Sequence, residues 1–162
     1  MAKIGQLKLN FFRLTILTTF LITLTVCYIE DEDLVKPIKD YPYDLNKFKM
    51  YSGYLDIESS NTKKLHYLFL ESQNDPGKDP LFIWLNGGPG CSSLLFGFGS
   101  EHGPVIFNEK TEKLEINNFS WNKNANIIYL ESPAGVGFSK GATIEDKTHD
   151  DVSSGKDNLK TL

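Results

Sequence analysis

An apolar segment that runs directly into a glycine-rich turn is the feature that most constrains the fold of this chain. Residues 81–85 are apolar, and Gly87, Gly88 and Gly90 follow at once. Glycine lets a backbone approach a ligand closely and present its N–H groups, and a helix that begins near Ser92 would add the positive end of its dipole. The sequence therefore predicts an anion-binding turn at the end of a strand.

Several stretches of the sequence match one known family. The segment Trp84–Ser93 resembles the signature of the serine carboxypeptidases, which include the lysosomal and vacuolar carboxypeptidases of eukaryotes. Further stretches resemble the same family in the same order: Tyr51–Tyr54, Glu101–Pro104, Ser120–Asn122 with Ala125 and Asn126, and Glu131–Ser139. The resemblance covers about residues 48 to 140.

The resemblance implies an α/β-hydrolase fold. The chain would supply the N-terminal half of that fold, an antiparallel hairpin followed by parallel strands. In such hydrolases the loop after the third strand donates one of the two N–H groups that stabilise the oxyanion. The backbone N–H of Gly88 matches that donor.

Other residues match the family's site for the C-terminal carboxylate of the substrate. Asn86 and the N–H of Gly87 match the groups that bind it, and Trp84 matches a buttress beside them. Both donors serve an anion without adding a competing charge, although an Asn beside glycine is also a common turn former. Glu101 matches a glutamate that in many members pairs with a second glutamate. Since two adjacent carboxyl groups do not both ionise readily, the resemblance implies activity at acidic pH.

The resemblance implies a serine-type carboxypeptidase that releases C-terminal residues from peptides and proteins through an acyl-enzyme, without a cofactor. The family's nucleophile lies in a Gly-Glu-Ser-Tyr-Ala-Gly segment that this sequence lacks, and the triad aspartate and histidine come later still. We therefore expect these 162 residues to be the N-terminal part of a longer enzyme, inactive alone. A carboxypeptidase-like acyltransferase and a non-catalytic truncated product are alternatives that the sequence leaves open.

The first 29 residues have the features of a secretory signal peptide. Three basic residues precede an uncharged run at 14–29. The competing interpretation is a membrane anchor, but the run is too short and too rich in threonine to favour it. A polar segment at 30–47 then precedes the catalytic-domain part at 48–162. We expect entry into the secretory pathway, a secreted or lysosomal/vacuolar location, and no stable membrane anchor after cleavage.

Composition argues against nucleic acid as a partner. The net charge is −4, and removing the basic leader would make the chain still more acidic. Neither a basic cluster nor metal-ligand spacing around a histidine is present in the sequence, so we expect no metal.

Two positions suggest covalent modification. If cleavage removes Cys27, Cys91 remains as an odd cysteine in a secreted chain, which needs a partner. The resemblance implies a disulfide to a cysteine farther along, and a buried free thiol is the alternative. Asn118 begins an N-glycosylation acceptor pattern, Asn-Phe-Ser.

The apolar patterns predict hairpins, buried strands and one helix. The predicted hairpins are Phe48–Ile57 with Lys63–Glu71, and Val105–Ile116. The predicted buried strands are Pro80–Leu85, central and covered on both faces, and Ala125–Leu130. The possible helix starts are Asp150, Asp151, Ser153 and Ser154.

Four more polar residues receive structural interpretations. Ser139 lies in a G-x-S-x-G pattern, but no strand runs directly into it, so we expect no catalytic role. We expect His66 to be structural in a strand, His102 to lie in a loop near the turn, and His149 to be exposed.

Overall fold

The structure, a computed structural model, describes residues 32–39, 41–42, 47–57 and 60–161. The predicted leader and part of the polar segment that follows it lie outside these residues. The chain divides into two compact units, Met1–Leu34 and Val35–Leu162. Only residues 32–34 of the first unit are described, and the elements below belong to the second.

A mixed β-sheet forms the centre of the second unit. Its strands are β1 (Met50–Asp56), β2 (Lys63–Leu70), β3 (Leu81–Trp84), β6 (Asn126–Leu130) and the short β7 (Lys140–Gly141). The order is β1-β2-β6-β3, and β7 pairs with the start of β2. β1 and β6 run antiparallel to β2, whereas β3 runs parallel to β6. A separate antiparallel hairpin contains β4 (Val105–Asn108) and β5 (Lys113–Ile116), so both predicted hairpins are confirmed.

The core lies on both faces of this sheet. β6 has a strand on each side and is a nearly continuous apolar run, and its alternate side chains reach opposite faces. One face carries a cluster of Phe48, Met50, Leu68, Leu70, Ala125, Ile127 and Tyr129. The other carries Ile57, Leu65, Leu130 and Ala134.

β3 differs from its prediction. The strand and its parallel pairing are confirmed, but cover on both faces is wrong for the described part of the chain. Leu81, Phe82 and Ile83 are 56%, 51% and 42% exposed. The physical reason is that, among the described strands, β3 pairs with β6 on one side and lies at the sheet edge.

Helical segments follow the parallel strands. A π-helix, Leu94–His102, comes after β3, and the N–H of Phe98 donates to the carbonyl of Ser93 at 3.0 Å across five residues. The predicted C-terminal helix is confirmed as α1 (Asp151–Thr161), and short 3₁₀ turns lie at Trp121–Lys123 and Glu145–Lys147. Because β3 and β6 are parallel, the loops that leave their carboxyl ends meet at the same edge of the sheet.

Candidate active site

The loop after β3 turns tightly at Gly88. The backbone there has φ of +133°, and a Cβ would lie 3.1 Å from the amide nitrogen of Cys91. The N–H of Cys91 closes the turn by donating to the carbonyl of Gly87 at 3.2 Å. At Gly87 and Gly90, by contrast, a Cβ would meet no atom within 4 Å. The turn is therefore compact inside and leaves room for a ligand beside its backbone.

Asn86 is held on both its side chain and its backbone. Trp84 Nε1 donates to Asn86 Oδ1 at 2.7 Å, and the N–H of Asn86 donates to Ser93 Oγ at 3.0 Å. The indole nitrogen is a donor only, so the amide atom that faces it is the oxygen. The Nδ2 group of Asn86 consequently points away from Trp84, with two N–H donors for a ligand.

An aromatic cluster supports Trp84 from behind. The ring centroid of Trp84 lies 4.3 Å from that of His102, edge to face, and 5.6 Å from that of Trp121. His102 also stacks on Trp121 at 4.2 Å, and its Nδ1 lies 3.0 Å from the hydroxyl oxygen of Tyr129. His102 is thus buried in the last turn of the π-helix, and its expected place in a loop is wrong.

The aromatic cluster favours uncharged rings. Burial lowers the pKa of His102, although the adjacent Glu101 carboxylate acts in the opposite direction. Burial also raises the pKa of Tyr129, with further contributions from Glu101 and Tyr41. Glu101 itself is exposed. Glu101 therefore lies at the surface, beside an aromatic cluster whose burial favours the uncharged forms of its rings.

A buried carboxylate that sequence reasoning did not single out lies under the turn. Glu131 directly follows β6 and has 0% of its surface exposed. Its Oε1 accepts a hydrogen bond from Ser92 Oγ, and its Oε2 accepts from the N–H of Phe138 at 2.6 Å. His66 Nδ1 lies 3.3 Å from Oε2, but the two atoms are not aligned as a hydrogen bond. A charged residue at the carboxyl end of a buried strand was the sequence signal for this group.

The remaining predicted polar residues have structural contacts. Ser139 is buried, and its Oγ donates to the main-chain carbonyl of Glu131 at 2.5 Å while accepting the N–H of His66 at 2.8 Å. This agrees with a structural role for Ser139, and His66 lies in β2 as expected. His149 is half-buried, so its expected exposure is wrong, because its Nε2 bonds to the carbonyl of Ala134 at 3.0 Å.

The two candidate modification positions are well separated in the chain. Cys91 is a half-buried free thiol within the turn, and its disulfide stays a prediction. The side chain of Asn118 is exposed, whereas the hydroxyl of Ser120 donates to Asn122 Oδ1 at 2.5 Å and is buried. Glycosylation of Asn118 also stays a prediction.

Comparisons with known proteins identify the class. The model of the serine carboxypeptidase family matches residues 41–162, and the chain belongs to that family. A Caenorhabditis elegans protein, serine carboxypeptidase ctsa-3.1, is 43% identical over 129 residues, which cover 80% of this chain and 22% of the relative. Mouse lysosomal protective protein is 55% identical over 92 residues, covering 57% of this chain and 19% of the relative.

A solved structure agrees with the sequence comparisons. The crystal structure of Kex1(delta)p, a prohormone-processing carboxypeptidase from Saccharomyces cerevisiae, matches with a TM-score of 0.59 and 28% identity. The match covers 75% of this chain and 28% of that one. The chain therefore has part of an α/β-hydrolase fold and spans about a fifth of the length of the curated relatives above.

Within residues 32–39, 41–42, 47–57 and 60–161, no group of three or more His, Cys, Asp or Glu is arranged to hold a metal ion. In the same part of the chain, none of the helices is both long enough and apolar enough to cross a membrane.

Proposed function

We propose that the complete protein containing this chain is a serine carboxypeptidase that hydrolyses the last peptide bond of peptides and proteins. The observation that carries the proposal is the Asn86 amide, which Trp84 orients beside the glycine turn. In this proposal Asn86 and the N–H of Gly87 bind the terminal carboxylate, and the N–H of Gly88 donates to the oxyanion. The chain would thus supply binding and charge stabilisation, and the rest of the protein would supply the nucleophile and base.

The proximity of these two anion sites explains why only the last bond would be cut. Gly87 and Gly88 are adjacent in this chain. The carboxylate and the oxyanion of the substrate must therefore lie about one substrate residue apart, and consecutive Cα atoms of a trans chain are roughly 3.8 Å apart. A substrate whose terminal carboxylate occupies the first site therefore presents its last peptide carbonyl to the second. Internal bonds have no carboxylate at that spacing.

During acyl transfer at such a site, negative charge develops on the carbonyl oxygen of the substrate. When a serine oxygen bonds to the carbonyl carbon, the carbonyl oxygen becomes an oxyanion, which accepts the N–H of Gly88. The C–N bond then breaks and the amine leaves with a proton, after which water releases the acyl group. A backbone donor that needs no reorganisation stabilises the charged state more than the neutral carbonyl.

Glu101 would tune the pH range of the reaction. Its exposed position on the π-helix lets it face a second carboxyl group from the rest of the protein. Two adjacent carboxyl groups share a proton at acidic pH, and the protonated member donates to the substrate carboxylate. We therefore propose activity that is highest below neutral pH.

The location and modifications follow from the same proposal. A predicted leader and a relative named lysosomal protective protein support a secretory-pathway protein, secreted or lysosomal/vacuolar. There Cys91 would pair with a later cysteine and Asn118 would carry a glycan.

The test measures release of the last residue by the complete protein. N-blocked dipeptides with a free or an amidated C-terminus would be incubated between pH 4 and 8, with and without an added alcohol. A carboxypeptidase releases the residue from the free acid and does so best at acidic pH. Transfer of the acyl group to the alcohol in preference to water would instead identify an acyltransferase. Equal cleavage of the amidated peptide would refute the carboxylate site, and no cleavage would refute the activity.

A further inference from the structure

Glu131 is an unusually placed charge, because its carboxylate is fully enclosed by protein. Ser92 and Phe138 donate hydrogen bonds to it, and the loop backbone lies close to it at Gly137. A Cβ at Gly137 would come within 2.0 Å of Glu131 Oε1, and φ there is +51°. Only glycine fits this backbone without displacing the carboxylate. The 131–139 loop is therefore folded around the charged group.

Burial of a charge needs compensation. Moving a carboxylate out of water is costly, and a protein with an apolar residue of similar size in place of a buried charge is often no less stable. The donors around Glu131 supply that compensation: burial favours the neutral acid, but the nearby His66 ring and the hydrogen bonds from Phe138 and Ser92 outweigh it and lower the pKa of Glu131. The contacts around Glu131 therefore favour its charged form.

One of these donors connects the carboxylate to the turn. Ser92 Oγ donates to Glu131 and simultaneously accepts the N–H of Leu95 at 3.0 Å, at the start of the π-helix. The next residue, Ser93, accepts the N–H of Asn86. Because Cys91 precedes Ser92 and closes the turn, a shift of Ser92 would move residues 88–91, whereas Trp84 continues to hold the side chain of Asn86.

We propose that Glu131, acting through Ser92, is a positioning residue that fixes the glycine turn and thereby the direction of the Gly88 N–H. The proposal rests on the proposed function, in which that N–H meets the oxyanion. Because the oxyanion exists in the transition state and not in the bound substrate, loss of this positioning lowers kcat and leaves KM nearly unchanged.

The chain offers a matched pair of serines for the test. Ser92→Ala removes the link between the carboxylate and the turn. Ser139→Ala is the control, because Ser139 bonds to the same loop through the carbonyl of Glu131 but contacts no residue of the turn among its described hydrogen bonds. Both changes remove one hydroxyl from the same neighbourhood, so a purely structural effect would be similar in the two variants.

Two measurements on the complete protein decide the proposal. Removal of a whole oxyanion donor costs about 10²–10³ in kcat, and we expect misdirection by Ser92→Ala to cost roughly tenfold, with KM within about twofold. Ser139→Ala should keep kcat within about twofold. Amide hydrogen exchange should become faster across residues 87–91 in Ser92→Ala only. Glu131→Gln, which retains the shape of the side chain, serves if Ser92→Ala does not fold, with the same expected directions.

The outcomes separate this proposal from the proposed function. Unchanged kcat and exchange in Ser92→Ala, or equal losses in Ser139→Ala, would overturn the positioning role of Glu131. An inactive wild-type protein would refute the proposed function instead. In that case the exchange of residues 87–91 still shows whether the carboxylate fixes the turn.

Discussion

Replacing Trp84 with Phe isolates the hydrogen bond that orients Asn86. Phe keeps an aromatic ring against His102 and Trp121 but removes the Nε1 donor that lies 2.7 Å from Asn86 Oδ1. Without that donor the amide is free to turn its oxygen towards the substrate carboxylate, which repels it. We therefore expect weaker binding of the carboxylate in the complete enzyme.

The magnitude follows from the bond that is lost. A typical intramolecular hydrogen bond contributes about 1 kcal/mol net, which corresponds to roughly a fivefold increase in KM for a free-acid peptide. Asn86→Ala removes a hydrogen bond to a charged group, worth about 1.5–3 kcal/mol, and should raise KM by about 10- to 150-fold. In both variants kcat should change little, because the carboxylate is bound equally in the ground and transition states.

The assay compares free-acid and amidated peptides of the same sequence. The amide lacks the anion, so its KM should be the same in wild type and in both variants. Trp121→Phe is a control for aromatic packing, since Trp121 contacts Trp84 and His102 but is half exposed, at 49%. An equal change in KM for the two peptides, or an unchanged KM ratio in Trp84→Phe, would refute the orienting role of the indole.

Three further predictions concern the complete protein or this chain. Because folding lowers the pKa of His102 below 6.5, its contribution to stability is complete above about pH 6.5 and falls as the pH drops towards the folded value. His102→Phe should thus lower the melting temperature at pH 7.5 but make it decline less between pH 7.5 and pH 5. Thermal scans at several pH values that show the wild-type decline in the variant would contradict this. Asn118→Gln should remove one glycan from protein secreted by a eukaryotic host, seen as a gel shift, and no shift would count against the site. Residues 32–161 expressed alone should self-associate through the exposed edge of β3, and Phe82→Lys should reduce the association seen in light scattering.

The strands and turns could be predicted from sequence because their causes are local. β1 and β2 belong to runs rich in Tyr, Leu and Phe on either side of a polar segment, and Asp150 caps α1 by accepting the N–H of Ser153 at 2.7 Å. The exposure of β3 was not predictable in this way. An apolar run indicates that a strand can be buried, but the elements that pack against the strand decide whether it is.

The support of the site depends on distant contacts, which no local pattern contains. Glu131 and Ser92 are 39 residues apart, and His102 and Tyr129 are 27 apart. The sequence places Glu131 after a strand and His102 after Glu101, but it does not show that Glu131 contacts Ser92 or that His102 packs against Trp84. That information arises only when β3 and β6 align in parallel and bring their loops to one edge.

The family-like stretches, which look independent in the sequence, form one physical arrangement around the turn. The stretch at 84–93 supplies Trp84 and the glycines, and the stretches at 101–104 and 120–122 supply the two rings that pack against Trp84. The stretch at 131–139 supplies the carboxylate that holds Ser92 from below. Two contacts hold the loop: the indole of Trp84 orients Asn86, and the carboxylate of Glu131 restrains Ser92. A change in one stretch should therefore affect the turn through a specific contact, so KM effects should follow from the aromatic side and kcat effects from the carboxylate side.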